Sequence, residues 1–359
     1  MKPATTAKRH FENTKMMVVD SRLEQKVSHQ TVADLETFLK PGDLLIVNTA
    51  STLPASFRGK VRRSGENTEV RLAAFIGGSA NDLRMWSAIL FGGGDWRLPT
   101  EQRGLPPTVF EGDIIDVSND LNMKVLKVDP RSPRLLKVEF SSQHLVHELY
   151  QEGRPIQYSY HEEDLAVWDQ QTVFHGPPVS VEPPSAAFPL TWSLLLKLKK
   201  RGIPIAPIIH SAGLSSTGEA SLDAHLPLAE YFEVPEETLQ KIEATRKIGG
   251  RVVALGTSVT RAVESALALG QTSGLTSLKL SNESRVRGID ILITGMHEEG
   301  SSHAELMKAF CDCETLKIVE HEANRGDYRS HEFGDWTLLN CAPTITKINT
   351  GCGSSLISS

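Results

Sequence analysis

Cysteine is scarce. Four residues among 359, at positions 311, 313, 341 and 352, crowd into the last quarter, and no two make a Cys-x-x-Cys pair. Neither a disulfide framework nor a zinc ribbon is expected, and the thiols read as reduced, cytosolic ones. No stretch reaches the ~18 apolar residues that a membrane helix needs. The opening "MKPATTAKRHFENTK" has basic residues with no apolar core behind them, so a secretory leader is not expected either. Basic excess is also missing: 38 Lys and Arg stand against 44 Asp and Glu, for a net charge of -6. That balance argues against a dedicated nucleic-acid binder, while local basic patches can still grip a phosphate backbone. Internal repeats are absent. What remains, 40% hydrophobic and 23% charged, is ordinary for a soluble globular chain long enough for two or three domains and a large core. A cytoplasmic protein, monomeric or weakly dimeric, with no metal and no membrane contact, is the expectation.

The patterning changes twice along the chain. "VADLETFLKPGDLLIV" predicts a short helix over 32–39, a Pro-Gly turn and a strand over 44–47. Then "EVRLAAFI", "RMWSAILF", "GDIIDV", "MKVLKV" and "RLLKVEF" follow as short apolar runs between Gly, Asp and Pro turns. Many short strands at close spacing predict a small barrel or sandwich. From about His144 strands and helices alternate. "PLTWSLLLKLKKRG" predicts a helix capped by Thr191 and ended by Gly202, and "IPIAPIIHSAG" a buried strand. "PEETLQKIEATRKIGG" predicts a helix, "RVVALGT" a strand, "SVTRAVESALAL" a helix, "GIDILIT" a strand and "SHAELMKAF" a helix. Such alternation implies an α/β layer around a largely parallel sheet. A β block between two α/β pieces is most simply an insertion. We expect a discontinuous main domain over 1–57 and 150–340, an inserted β domain over 58–149, and a flexible Ser/Thr/Gly-rich tail over 341–359.

The sharpest local feature is the strand ending in Gly256-Thr257-Ser258, where a helix begins at once. Ligands in α/β sheets bind at strand carboxyl ends, and a helix N-terminus offers free N–H groups to an anion. Arg261 and Glu264 are three apart and share a face of that helix, so Glu264 is placed to orient Arg261. Three-glycine dinucleotide spacing is absent. Other predicted strand ends carry His210-Ser211-Ala212-Gly213, Gly295-Met296-His297-Glu298 and Gln171-Thr172-Val173-Phe174. A His with a pKa near ~6.5 serves as acid or base at neutral pH. Structural histidines and ordinary strand-helix turns explain each feature singly; several polar ends on one sheet edge favour a site. In "LITGMHEEGSSHAELM", His297 and His303 are six apart rather than four. That spacing puts them on roughly opposite faces of a helix, and Gly300 interrupts any helix between them, which together exclude the zinc-protease pattern. Ser301 or Ser302 caps the helix that follows, with Glu305 near the capping-box position. Basic clusters at Arg58, Lys60, Arg62, Arg63 and at Lys197, Lys199, Lys200, Arg201 suit phosphates, or equally a solvated face or a guarded strand edge.

Eight stretches in order carry a resemblance: "FLKPGDLLIVNTASTLPA", "QTVF", "PPSAAFPLT", "IIHSAG", "AEYFEVPEET", "GGRVVALGTSVTRAVESA", "DILITGMHEEGSSHAELM" and "HEFGDW". Together, from about Val32 to Leu339, the chain resembles the S-adenosylmethionine:tRNA ribosyltransferase-isomerase family. "GTSVTRAVES" is similar to the family's Gly-Thr-x-x-x-Arg-x-x-Glu-Ser. The resemblance implies an α/β-barrel-like main domain with an inserted small β-barrel. It implies transfer and isomerisation of the ribosyl unit of S-adenosylmethionine, a co-substrate, onto a 7-aminomethyl-7-deazaguanine in tRNA, releasing adenine and methionine. It places His210, Glu230, Arg261, Glu264 and His297 among the catalytic candidates. Gln171, Thr172, Ser185, Gly256, Thr257 and Ser258 become candidates for holding the co-substrate, and Arg58, Lys60, Arg62 and Arg63 for tRNA. No metal is implied. The chain departs from the family in three places. "NTASTLPAS" lacks one Asp and two Arg at Thr49, Ser51 and Ser56; Pro189 stands where the family has His; and "TGMHEE" keeps only His297 of Asn-Phe-His-Leu-Pro. Two other readings fit the same residues: an S-adenosylmethionine-dependent transferase or lyase acting on a small molecule or peptide, and a non-catalytic nucleoside- or RNA-binding protein.

Overall fold

The computed structural model of the chain describes residues 1–7, 13–23 and 26–340; the tail expected over 341–359 lies outside them. Strand Leu44–Asn48 is buried at every position, as a strand covered on both faces must be. It pairs in parallel with Ile205–His210 on one side and with Val252–Leu255 on the other. Val252–Leu255 in turn pairs in parallel with Ile291–Gly295. Beyond Ile205–His210 lie Glu230–Glu233 and Ser273–Thr276, both antiparallel. Beyond Ile291–Gly295 lie Trp336–Leu339, Lys15–Val19 and Val27–Thr31. The two-residue alternation of strand side chains divides the core. Leu44 and Ile46 meet Val259, Ala262 and Val263 of helix Thr257–Leu269 and Ile242 of helix Glu236–Lys247. Leu45 and Val47 face the opposite layer, with Leu35, Leu39 and Leu194, Leu195 and Leu198 of helix Trp192–Lys200. Thr191 caps that last helix, accepting from the Leu194 N–H at 3.2 Å, and Ser301 caps helix Ser302–Met307 through the Ala304 N–H at 3.1 Å.

The other expected unit is also present. Strands Ser56–Val61, Asn67–Phe75, Met85–Phe91, Ile114–Asp116, Asn122–Val128 and Leu135–Ser141 close into a six-stranded barrel. The mixed α/β domain and the small closed β-barrel thus stand as the sequence implies. The nine strands of the main sheet run in open order, because antiparallel pairings flank the parallel centre and interrupt the all-parallel ring that closes an α/β barrel. The closed barrel shares its core with the main domain. Tyr231 meets Phe75 edge-on at 5.4 Å, and Phe75 meets Trp86 at 5.0 Å, pairs worth about 0.5–1.5 kcal/mol each beyond their burial. Cys311 and Cys313 are disulfide-bonded, which overturns the reduced thiols expected at those two positions. Spacing along the chain does not report which sulfurs the fold brings within bonding reach.

Candidate active site

The carboxyl ends of the four central parallel strands make one edge, in the order His210, Asn48, Leu255, Gly295. At about 4.8 Å between neighbouring strands, His210 and Gly295 are roughly 14 Å apart across it. Asn48 ties two of these ends together. Its side chain donates to the His210 carbonyl at 2.9 Å and accepts from the His210 and Ala50 N–H groups at 3.1 and 3.0 Å. Gly256 has φ +100, a left-handed value that favours glycine, and it lets the chain turn from strand directly into helix Thr257–Leu269. Ser258 accepts from Asn48 at 3.4 Å. The barrel is attached over this edge, since the Leu214 N–H donates to the Ala73 carbonyl at 2.8 Å.

Arg261, on the second turn of the helix, reaches Glu230 with Nη1 and the Leu278 carbonyl with Nε at 3.0 Å. Glu230 also accepts the Gly213 N–H at 2.7 Å, and His210 Nε2 stands 3.4 Å from it. A Cβ at Gly213 would meet the Ala73 carbonyl oxygen at 2.6 Å, so glycine is required for the backbone to pass between barrel and carboxylate. All three side chains are buried. Burial pushes the Glu230 carboxyl up, but Arg261, His210 and the Gly213 N–H outweigh it and hold the group below its ordinary value. Burial lowers His210 to about 4 against the pull of Glu230, with Arg261 lowering it further. His210 is therefore neutral at pH 7, and its contact with Glu230 is not an ion pair. Although buried, Arg261 Nη2 and both ring nitrogens of His210 have no hydrogen bond among the described residues.

The expected pairing of Arg261 with Glu264 is not made. Glu264 accepts the Arg287 N–H at 3.0 Å and the Gly288 N–H at 2.6 Å, so it anchors a loop on the far side of the helix, and Glu230 takes its place. Gln171 is not at a strand end; it follows the 3-10 turn Val167–Gln170. Its amide clamps Thr52, accepting from the N–H at 3.2 Å and donating to the carbonyl at 2.8 Å. The Thr172 hydroxyl bonds the Phe174 backbone, at 3.2 Å to both its N–H and its carbonyl. Ser185 opens the turn Ser185–Ala187, and the Ala186 methyl lies 3.4 Å from where a Gly256 side chain would begin.

His297 and His303 meet across the break at Gly300, not on one helix. The chain turns back at Gly300, φ +83, before the helix starts, and the two rings stack at 4.7 Å with 12° between planes. His297 Nε2 lies 2.7 Å from the Thr294 hydroxyl. Burial holds His297 well below its ordinary pKa, and His303 and His331 add to the effect. Like His210 it is neutral at pH 7, so neither titrates near neutrality as expected. No group of three or more His, Cys, Asp or Glu placed for a metal ion occurs among the described residues.

Next to this pair lie groups the sequence did not single out. Glu182 accepts from Tyr158 and from the Ser215 N–H and hydroxyl at 2.8 and 2.9 Å. Tyr160 donates to Glu332 at 2.8 Å and stacks on His331 at 4.4 Å. His303 is close enough for its ionisation to feel Glu230, Arg261 and Glu332, so one side chain lies within electrostatic reach of both groups. His303 is exposed, and His297, Glu182 and Tyr160 are half-buried, yet burial dominates the ionisation of all four. Solvent-accessible groups set deep in protein are what a cleft wall presents. The quoted blocks "PPSAAFPLT" and "HEFGDW" adjoin or contain Glu182 and Glu332, which was the available signal.

The four basic residues expected to meet tRNA lie on barrel strand Ser56–Val61 and the turn after it. Arg58 and Lys60 share its exposed face. Arg62 is paired with Asp116 at 2.5 Å and Arg63 with Asp113 at 3.1 Å, which halves the formal charge of the patch. An open depression of about 600 Å³ beside Arg62 and Asp116 lies on this polar barrel surface and includes none of the strand-end groups.

An open mixed sheet bearing a closed barrel at its carboxyl edge, with a buried Glu–Arg–His cluster beneath, defines an α/β enzyme-like architecture with a two-domain cleft. The family model for "Queuosine biosynthesis protein" matches residues 2–339, and the chain belongs to that family. It is 25% identical to the S-adenosylmethionine:tRNA ribosyltransferase-isomerase of Thermotoga maritima, covering 90% of this chain and 92% of the relative. It is 30% identical to the enzyme of the same name from Nostoc sp., covering 91% and 86%. The solved S-adenosylmethionine tRNA ribosyltransferase of Thermotoga maritima matches in fold with a TM-score of 0.50 at 22% identity, covering 94% of this chain and 95% of that one.

Proposed function

We propose that the protein transfers and isomerises the ribosyl unit of S-adenosylmethionine onto a 7-aminomethyl-7-deazaguanine in tRNA, with adenine and methionine leaving. The observation that carries this reading is the buried Glu230–Arg261–His210 cluster at the carboxyl edge, with Arg261 Nη2 and the His210 ring unbonded. The chemistry needs a base beside the sulfonium, an acid for departing adenine and a clamp for the methionine carboxylate. Arg261, held by Glu230, has a free N–H for the carboxylate or a ribose oxygen. Neutral His210 and His297 are proton acceptors. Gly256, Thr257 and Ser258 present a helix N-terminus to the ligand, and Ser185, Gln171 and Thr172 shape the wall beside it. Glu264 supports this helix from behind. Arg58, Lys60, Arg62 and Arg63 are the tRNA-facing residues in this reading. We take 1–57 with 150–340 as the main domain and 58–149 as the insertion, with its first strand starting at Ser56. We also take the protein as a cytoplasmic monomer or weak dimer; no helix among the described residues is long and apolar enough to cross a membrane.

Adenine release by the purified protein, with and without tRNA carrying the modified base, tests the reading. Release that requires the tRNA is expected. The half-neutralised basic patch favours one rival, a smaller acceptor, which release without tRNA would establish. Binding of S-adenosylmethionine with no release under either condition would leave a nucleoside-binding protein.

A further inference from the structure

At the Glu182–Glu332 end of the cleft two carboxylates lie close enough for Glu332 to raise the pKa of Glu182, with little to neutralise them. All three donors that reach Glu182 go to Oε1: the Tyr158 hydroxyl, the Ser215 N–H and the Ser215 hydroxyl. Glu332 accepts from one hydroxyl, that of Tyr160, shared between its two oxygens at 2.8 Å. Glu182 has no ion-pair partner among the described residues, and Glu332 has only His161, with Nε2 at 4.0 Å. His161 is 5% exposed, and its Nε2, aimed at Glu332, makes no hydrogen bond among the described residues. Burial lowers the pKa of His161, so its ring supplies no positive charge at pH 7. Aromatic rings pack together at the same place. Tyr158 and Tyr160 stack at 5.8 Å, Tyr160 and His331 at 4.4 Å, and Tyr160 and His161 lie 4.5 Å apart. His331 is held in position at φ +67, a left-handed backbone conformation that costs energy for a residue other than glycine. Burial, and then the nearby Glu332, raise Glu182 to about 7. Carboxylates short of donors beside ring faces present the complement of a desolvated organic cation.

We infer that the Glu182–Glu332 end of the cleft, walled by Tyr158, Tyr160 and His331, is a binding pocket for an organic cation. Resting on the function proposed above, that cation is the positive portion of S-adenosylmethionine, its sulfonium or its ammonium. The pocket is then the counterpart of Arg261, with the two ends dividing a zwitterionic ligand by charge.

Calorimetry on the full chain tests this with S-adenosylmethionine, with S-adenosylhomocysteine, which keeps the ammonium but has neutral sulfur, and with 5′-deoxy-5′-dimethylsulfonioadenosine, which keeps the sulfonium but lacks the amino acid. Trimethylsulfonium ion alone, followed by the NMR signals of the tyrosine rings, probes the pocket independently of the nucleoside. Glu332→Gln and Glu182→Gln are expected to weaken S-adenosylmethionine at least ~10-fold, the scale of a lost charged contact. The analogue that shares this loss identifies the cation: the sulfonium if it is the dimethylsulfonio compound, the ammonium if it is S-adenosylhomocysteine. Folded variants that bind all three nucleosides within about twofold of the parent would overturn the pocket. A parent that takes trimethylsulfonium in a Glu332-dependent way but not S-adenosylmethionine would keep the pocket and overturn the reading of the ligand. Should Glu182→Gln fail to fold, Glu332→Gln, half-buried and bonded by Tyr160, carries the test.

Discussion

The two ends of the cleft handle buried charge in opposite ways. At Glu230 a carboxylate meets a guanidinium and a backbone N–H, and its pKa is held low. At Glu182 a carboxylate meets two hydroxyls and an N–H, and burial, then the nearby Glu332, drive its pKa up to about 7. The first end is neutralised within the protein, and among the described residues it leaves one guanidinium nitrogen and the two His210 ring nitrogens unbonded. The second is short of a positive charge. An internally neutralised cluster holds its donor rigidly in place, whereas an unneutralised one keeps its electrostatic capacity for a ligand.

The largest effect is expected where the neutralised pair is broken. Arg261→Ala leaves Glu230 buried without its partner, at a cost of about 3–5 kcal/mol, and should lower adenine release at least ~100-fold. Melting and turnover on one preparation measure both. Early melting with near-normal turnover of the folded fraction would make the pair a scaffold and move the chemistry elsewhere. Replacing Arg261 and Glu230 together by Met and Leu should cost less than the two single changes added.

The comparison sharpens with pH, because the two ends respond with opposite sign. His210 has a folded pKa of about 4 against 6.5 unfolded. The unfolded chain therefore takes up the proton first, and the stability held above pH 6.5 is lost as pH falls toward 4, on the order of 3 kcal/mol from this group. Chemical denaturation from pH 7 to 4 should show that loss in the parent and a shallower one in His210→Gln. Glu182 has a folded pKa of about 7 against 4.5 unfolded. Its contribution is full below pH 4.5 and is lost as pH rises toward 7, by about 1–2 kcal/mol for a half-buried group. Glu182→Gln should therefore gain on the parent at pH 8 relative to pH 4 in the ligand-free protein. An unchanged difference between them would mean that Glu182 ionises normally, with its donors Tyr158 and Ser215 outweighing burial and the nearby Glu332.

The smallest effect concerns the barrel surface. Arg62 and Arg63 are engaged by Asp116 and Asp113, so Arg58 and Lys60 should account for most of any tRNA contact. Replacing both by Ala should flatten the salt dependence of tRNA affinity by about 0.7–0.9 log units per lost phosphate contact. The double change at Arg62 and Arg63 should flatten it less. Equal slopes for both variants would remove this strand from the interface.

Much of the scaffold was legible because its centre is strongly patterned. The four parallel strands, the helices on either side and five of the barrel strands coincide with apolar runs bounded by turn residues. The flanking strands did not stand out. "VSHQT" at Val27–Thr31 and "SGLT" at Ser273–Thr276 have little apolar content to signal an edge strand, and their pairing is set by neighbours distant in sequence. The site followed the same division. Helical spacing nominated Glu264 as the partner of Arg261, but the fold supplies Glu230 from 31 residues away. Tyr160 and Glu332 are separated by 172 residues, beyond the reach of any local pattern. The helix break at Gly300 was legible, but not that the chain turning there would stack His297 on His303.

Gly213 touches two parts of the molecule at once. Its N–H serves Glu230, and its missing side chain leaves room for the carbonyl of Ala73 in the barrel. Barrel and sheet therefore cannot drift apart in sequence as independent modules. A change in strand Asn67–Phe75 that shifts Ala73 displaces one of the donors that, behind Arg261, help keep Glu230 ionised, so variation in the inserted domain is constrained by the charge state of a residue outside it.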